Sequence, residues 1–168
     1  MTDDAPSTWP HALLAACGGF LMAVLWFDLM FDVQVRAHPP APALLPDATL
    51  ASIAAYYRRV TTDAYPMQRL IALVMGIAVV GSVWTLRSPS QRGLRWLALV
   101  VAIAPIALAG ERVLPNAVRL GMRADPLDVQ SALARAVLVD HVLCFGSIAV
   151  FTAAQIVLAV GRPRRLSP

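Results

Sequence analysis

Four uninterrupted apolar runs constrain this chain more than any other feature. His11 to Val35 contains no arginine and is broken only by Asp28 and Asp32, late in the run. Leu70–Leu86, Trp96–Gly110 and Val142–Gly161 carry no charge at all. With short flanks, each reaches the ~20 residues that a helix needs to cross a ~30 Å hydrocarbon core, and no alternating β-barrel pattern competes. The pattern predicts an all-α, integral membrane, up-down four-helix bundle. Its spans fall near 11–35, 67–86, 94–113 and 135–160 of a single membrane domain, 1–168. Composition agrees, because only 14% of the 168 residues are charged and 58% are hydrophobic, whereas a soluble domain carries about a quarter charged residues. The principal partner is therefore the lipid bilayer.

Charge chooses the orientation. All 14 basic residues are arginine, and the net charge is +4. They flank the apolar runs instead of forming a dense stripe with interleaved aromatics, which argues against a nucleic-acid partner. Arg87, Arg92 and Arg95 crowd the shortest loop without an acid, and Arg162, Arg164 and Arg165 form the tail. The positive-inside rule then puts that loop and both termini in the cytoplasm of a bacterial-type inner membrane. Loops one and three lie outside, and their arginines are accompanied by Asp47, Asp63, Glu111, Asp125 and Asp128. Asp3 and Asp4 stand where a cleavable signal needs positive charge, so none is expected.

The long connections carry structure of their own. Ala37 to Pro42 is too rich in proline for a helix and reads as an extended connector. Asp47 is a plausible N-cap, after which Leu50, Ile53, Ala54 and Tyr57 recur at helical spacing. This predicts an amphipathic helix in the first outer loop, ending near Tyr65-Pro66. Asp125-Pro126 reads as an N-cap followed by an N1 proline, so the last helix begins near Leu127 and projects beyond the bilayer. Cys17 and Cys144 fall at different depths and should both be free thiols.

In an up-down bundle the polar residues gather at one end. Span one ends with Asp28, Asp32, Arg36 and His38, and the approach to span two brings Tyr56, Tyr57, Arg58 and Arg59. Span three ends with Glu111, Arg112, Asn116 and Arg119, and span four begins with Arg135, Asp140 and His141. The other end contributes arginines and little else. Ionisable groups within a membrane usually face the bundle interior, where they pair or function, so one outward-opening polar pocket is expected. Asp28 and Asp32 share a helix face at i, i+4, with Arg36 a turn further. A bland reading pairs these acids with Arg36, Arg58 or Arg112 to lock helices together. A functional reading makes His141, Asp140 and Glu111 catalytic, with Arg58, Arg59, Arg112, Asn116, Arg119 and Tyr57 binding substrate. Asp28, Asp32, Glu111 and His141 are candidate metal ligands, although the repeated Glu-x-x-His of bundle metal sites is absent. Whether any cofactor binds stays open.

His38-Pro39 after helix one, Pro115-Asn116 with Arg119-Leu120 after helix three, and His141 within helix four resemble the anthrone-oxygenase-like family of small four-helix membrane proteins. The resemblance implies an oxygenase acting on a lipophilic aromatic small molecule. The family pattern has tryptophan one turn before the helix-four histidine and arginine three residues after it, where this chain has Val137 and Cys144. The alternatives are a non-catalytic accessory or scaffold subunit of a larger membrane complex, and a small transporter that would need to form a homo-oligomer.

The orientation is open to direct test. A periplasmic reporter fused after Gly161 should be silent and one inserted between Pro39 and Pro46 active; the reverse pattern would invert the bundle.

Overall fold

The computed structural model describes residues 8–161, so Asp3, Asp4 and the tail arginines Arg162, Arg164 and Arg165 lie outside the described residues. Helix α1 (Trp9–Asp32) continues through a 3-10 turn, Val33–Ala37. Helix α2 (Asp47–Arg58) runs into a π turn, Arg59–Asp63, and α3 spans Tyr65–Thr85. Helix α4 (Arg92–Leu108) passes through a second π turn, Ala109–Val113, into α5 (Leu114–Met122), and α6 spans Leu127–Val160. Four stretches are long and apolar enough to cross a membrane: Trp9–Ala37, Tyr65–Thr85, Arg92–Met122 and Leu127–Val160. Among the described residues the chain is thus all-helical, with four such helices, as expected of a multi-pass membrane protein.

All four stretches exceed the lengths read from hydropathy, the second by a single residue. The third continues past 113 to Met122 because the charges of Glu111, Arg112 and Arg119 interrupt hydropathy but not helical hydrogen bonding. Proline explains the irregularity within it: Pro105 lies inside α4 and Pro115 in the first turn of α5. Each removes an amide from the ladder, and wide turns accommodate such gaps. The two expected caps shift by one residue. Asp47 and Leu127 open their helices after Pro46 and Pro126, while Asp47 and Asp125 pair with Arg123 and Arg119 across loops. Both cysteines are free and buried.

Helix α6 packs against α1 and α4, and α3 packs against both α1 and α4. The apolar interior divides in two. Leu14, Cys17, Ala78, Ala98, Ala102, Phe151 and Ala154 fill one half. The other is built by Val35, Leu45, Leu50, Ile53, Tyr57, Ala117, Leu120 and the early α6 residues Leu133, Ala134, Val137 and Leu138. In α2 the buried residues are Leu50, Ile53, Ala54 and Tyr57, the i, i+3, i+4, i+7 spacing of one helix face. The connector before α2 is tied down by polar contacts. Arg135 donates to Pro39 O at 2.7 Å and Ala43 O at 3.0 Å, and Leu45 N–H donates to Ser131 Oγ at 3.0 Å.

The α2–α5 contact fixes where Tyr57 points. A Cβ on Gly121 would lie 3.0 Å from Arg58 N and 3.2 Å from Arg58 Cα, so any side chain there would force the α2 backbone back by a few tenths of an ångström. Gly121→Ala should lower stability by about 1–3 kcal/mol through overpacking, and Gly121→Leu should lower it further while displacing α2. Thermal unfolding in detergent would measure both, and unchanged melting for Gly121→Leu would contradict the packing.

Candidate functional site

Between the two apolar clusters, α1, α2 and α6 bring an acid pair, two tyrosines and a histidine together. Asp28 and Asp32 project from successive turns of α1, Tyr56 and Tyr57 from the last turns of α2, and His141 from the middle of α6. Asp32 is 1% exposed, Tyr57 2% and His141 4%. His141 Nδ1 lies 2.6 Å from Asp32 Oδ2, and Tyr57 Oη donates to Asp32 Oδ1 at 2.6 Å. Both carboxylate oxygens therefore receive a short, charge-assisted hydrogen bond.

The network assigns the imidazole tautomer. With Nδ1–H committed to Asp32, the lone pair of a neutral ring sits on Nε2. Nε2 faces Asp28 Oδ2 at 3.9 Å, too far for a direct hydrogen bond. A water placed between them could donate to both, and a substrate hydroxyl could donate to either. Asp28 accepts from Tyr56 Oη at 2.6 Å, and its side chain is 17% exposed against 5% for His141 and 1% for Asp32. It forms the accessible edge of the cluster. The Tyr56 ring stacks on Phe31 with centroids 4.0 Å apart. Burial first, and then the neighbouring carboxylates, push both phenols far above their ordinary pKa, so each remains an O–H donor at any physiological pH.

Asp140, next to His141, is a different kind of acid. It is 1% exposed and neither oxygen has a directed hydrogen bond, although the half-exposed Arg112 guanidinium comes within 3.1 Å of Oδ1. A buried carboxylate whose counter-ion reaches in from outside leaves acceptor capacity unspent. Cys144, one turn further along, donates its thiol to Pro105 O at 3.8 Å, a carbonyl in the irregular stretch of α4.

Several expected site residues lie elsewhere. Glu111, Arg58 and Arg59 are exposed, and Glu111 does not join the acids, because it falls on the outer side of the π turn. Arg119 pairs with Asp125 at 2.8 Å. Asn116 is partly buried, with no contact to the cluster among the described hydrogen bonds. Neither Asp28 nor Asp32 pairs with Arg36, Arg58 or Arg112; tyrosine and histidine hold them instead. The metal expectation for Asp28, Asp32, Glu111 and His141 also meets a geometric obstacle. Among the described residues no three His, Cys, Asp or Glu side chains are placed to hold a metal ion together. His141 Nδ1 is spent on Asp32, and Glu111 is turned away.

The opposite end is richer than the sequence suggests. His11 Nδ1 donates to Gln155 Oε1 at 2.8 Å. Arg95 Nη1 donates to His11 Nε2 at 3.2 Å and Thr85 O at 2.9 Å, and Arg95 Nε donates to Ser90 O at 2.8 Å. All three side chains are nearly fully buried. Gln155, an amide inside the last charge-free run, was the available signal that a polar partner awaited it.

Compared with family models, with curated proteins and with solved structures, the chain matches none.

Because Asp32 is saturated by donors from two other helices, breaking either bond should loosen the bundle. Tyr57→Phe leaves one buried oxygen unsatisfied and should lower stability by about 1–3 kcal/mol. Asp32→Asn turns an amide donor toward one of the two donors while its carbonyl keeps the other, and should lower it at least as much. Melting curves that match the parent for both variants would contradict the network.

Proposed function

We propose that this chain crosses a bacterial-type inner membrane as an up-down bundle with cytoplasmic termini, and that the Asp28–Asp32–Tyr57–His141 cluster is the proton-handling site of an oxygenase-like enzyme. Its substrate would be a lipophilic aromatic molecule, as the resemblance to the anthrone-oxygenase-like family implies. The supporting observation is the 3.9 Å gap between His141 Nε2 and Asp28 Oδ2. With Nδ1–H committed to Asp32, the Nε2 lone pair faces this gap with no protein donor on it among the described hydrogen bonds, as a base needs in order to meet an incoming proton.

Each residue then has a role. His141 Nε2 takes a proton from an acidic position of the substrate. Asp32 orients the ring through Nδ1–H and stabilises the imidazolium that forms, as carboxylates do behind catalytic histidines. Tyr57 is a positioning residue, because it holds Asp32 and not the substrate. Asp28 receives or orients a hydroxyl at the accessible edge, and the stacked Phe31–Tyr56 pair offers a flat ring a surface to pack against. Asp140 places a further buried carboxylate next to His141 on α6. Dioxygen would be the oxidant of the deprotonated aromatic.

A second reading, an accessory subunit of a membrane complex, draws support from the groove between α1 and α3. It is about 670 Å³, almost wholly apolar, and bordered by Trp9 and Trp84, an apolar surface of the kind a partner's helix covers.

Asp28→Asn separates the readings. In a working site it removes like-charge repulsion on one face of α1, so the melting temperature should hold or rise while substrate-dependent oxygen uptake with an anthrone falls by ~10²-fold or more. His141→Gln should abolish uptake with only a modest loss of stability. A parent protein that shows no uptake and carries no lipophile by mass spectrometry, together with Asp28→Asn melting well below it, would favour the accessory role.

A further inference from the structure

The acid pair accounts for two of the ionisable groups near the end of α1; the third, Arg36, has a different setting. An unbroken α-helix would place Arg36 a turn above Asp32 on the same face. Instead, the helix tightens at Val33–Ala37 into a 3-10 turn, in which side chains at i and i+3 eclipse. Arg36 therefore stands over Val33, and Val35, at 3% exposure, takes the inward position. Asp32 is already saturated by His141 and Tyr57, and Arg36 forms an ion pair with none of the described acids.

What Arg36 overlooks is an apolar groove of about 310 Å³ between α1 and α6. Its walls include Trp26, Leu29 and Val33 on one side and Leu138 and Val142 on the other, with Arg36 its sole charged lining residue. From Trp26 to Arg36 the wall is ~15 Å long at ~1.5 Å rise per helical residue, half of a ~30 Å hydrocarbon core. That is the depth of one leaflet, with the cation at its polar boundary.

We propose that the α1–α6 groove is a binding site for an anionic phospholipid, whose phosphate engages Arg36 and whose acyl chain lies along the groove toward Trp26. Charge complementarity selects this occupant over a zwitterionic lipid. Arginine is the side chain best suited to phosphate, offering a planar fork of donors at fixed charge, and among the described residues no acid pairs with it. The groove's length selects a chain-bearing ligand over a free anion. The site stands apart from the catalytic reading, since neither Asp28 nor His141 lines it.

Trp26, itself 57% exposed, forms part of the groove's wall and reports on its occupant. Trp9, Trp84 and Trp96, the remaining tryptophans, are exposed and can be replaced by phenylalanine. The full-length single-tryptophan protein would be reconstituted in phosphatidylcholine vesicles containing phosphatidylglycerol or phosphatidylcholine brominated near the chain ends. At equal low mole fractions, brominated phosphatidylglycerol should occupy the groove about fivefold more than brominated phosphatidylcholine, the enrichment expected for one arginine near an anionic lipid. Arg36→Gln should erase that preference. Arg69→Gln, which removes the same charge from the start of α3, should leave it intact. Native mass spectrometry of the unmodified protein and of Arg36→Gln provides a readout independent of the tryptophan replacements, and should find phosphatidylglycerol retained only by the former. Equal quenching by the two lipids, a preference that survives Arg36→Gln, or one that Arg69→Gln also removes would overturn the assignment. So would loss of the preference on adding inorganic phosphate, because a free anion would then be sufficient to occupy Arg36.

Discussion

A carboxylate inside a helical bundle persists only where donors replace the water it has lost, and Asp32 meets that condition with bonds from two other helices. Tyr57 of α2 occupies one oxygen and His141 of α6 the other. This single side chain joins the first helix, the loop-one helix and the last helix at one level. Much else follows from it: the ring orientation of His141, the inward rotation of Tyr57, and the height at which the apolar interior is interrupted.

The interruption has a logic along α6. Its early residues, Leu133 to Leu138, pack into the cluster shared with α2 and α5, and Phe151 and Ala154 pack into the cluster shared with α1, α3 and α4. Asp140, His141 and Cys144 lie between. Apolar packing on both sides lowers the local dielectric and strengthens each hydrogen bond in the polar layer, while making any unpaired group there expensive. Asp140 is the exception, with acceptor capacity left over and its cation half in solvent. The second polar network, His11 with Gln155 and Arg95, closes the far end of the same helices.

Asp28 and Asp32 illustrate how four residues of separation produce different chemistry. They share a helix face and a histidine, yet one is sealed by two donors and the other sits at an accessible edge with one tyrosine. The sealed acid fixes geometry and the open one remains available. The same contrast separates Arg36 from Arg112: one turn of tighter helix directs Arg36 to the apolar groove between α1 and α6, while Arg112, in the π turn, reaches Asp140.

Hydrophobic run lengths, arginine placement and proline positions were sufficient to establish an all-helical chain with four membrane-length helices, a structured first loop, a last helix starting at Leu127, and two free cysteines. Those properties depend on local sequence, because run length and missing amides act within a few residues. The gathering of Asp28, Asp32, Tyr57 and His141 was also legible, since all four were expected at the same end of their helices. Which partner each acid takes was not. Arg36, Arg58 and Arg112 were equally eligible by charge and spacing, and the choice of tyrosine and histidine depended on the 3-10 turn after Asp32, the close approach of α2 to Gly121, and the rotation of α6. The buried His11–Gln155–Arg95 network was hidden for the same reason. Side chains far apart in sequence meet only when helix rotation is settled, and rotation is decided by the packing of every helix against its neighbours.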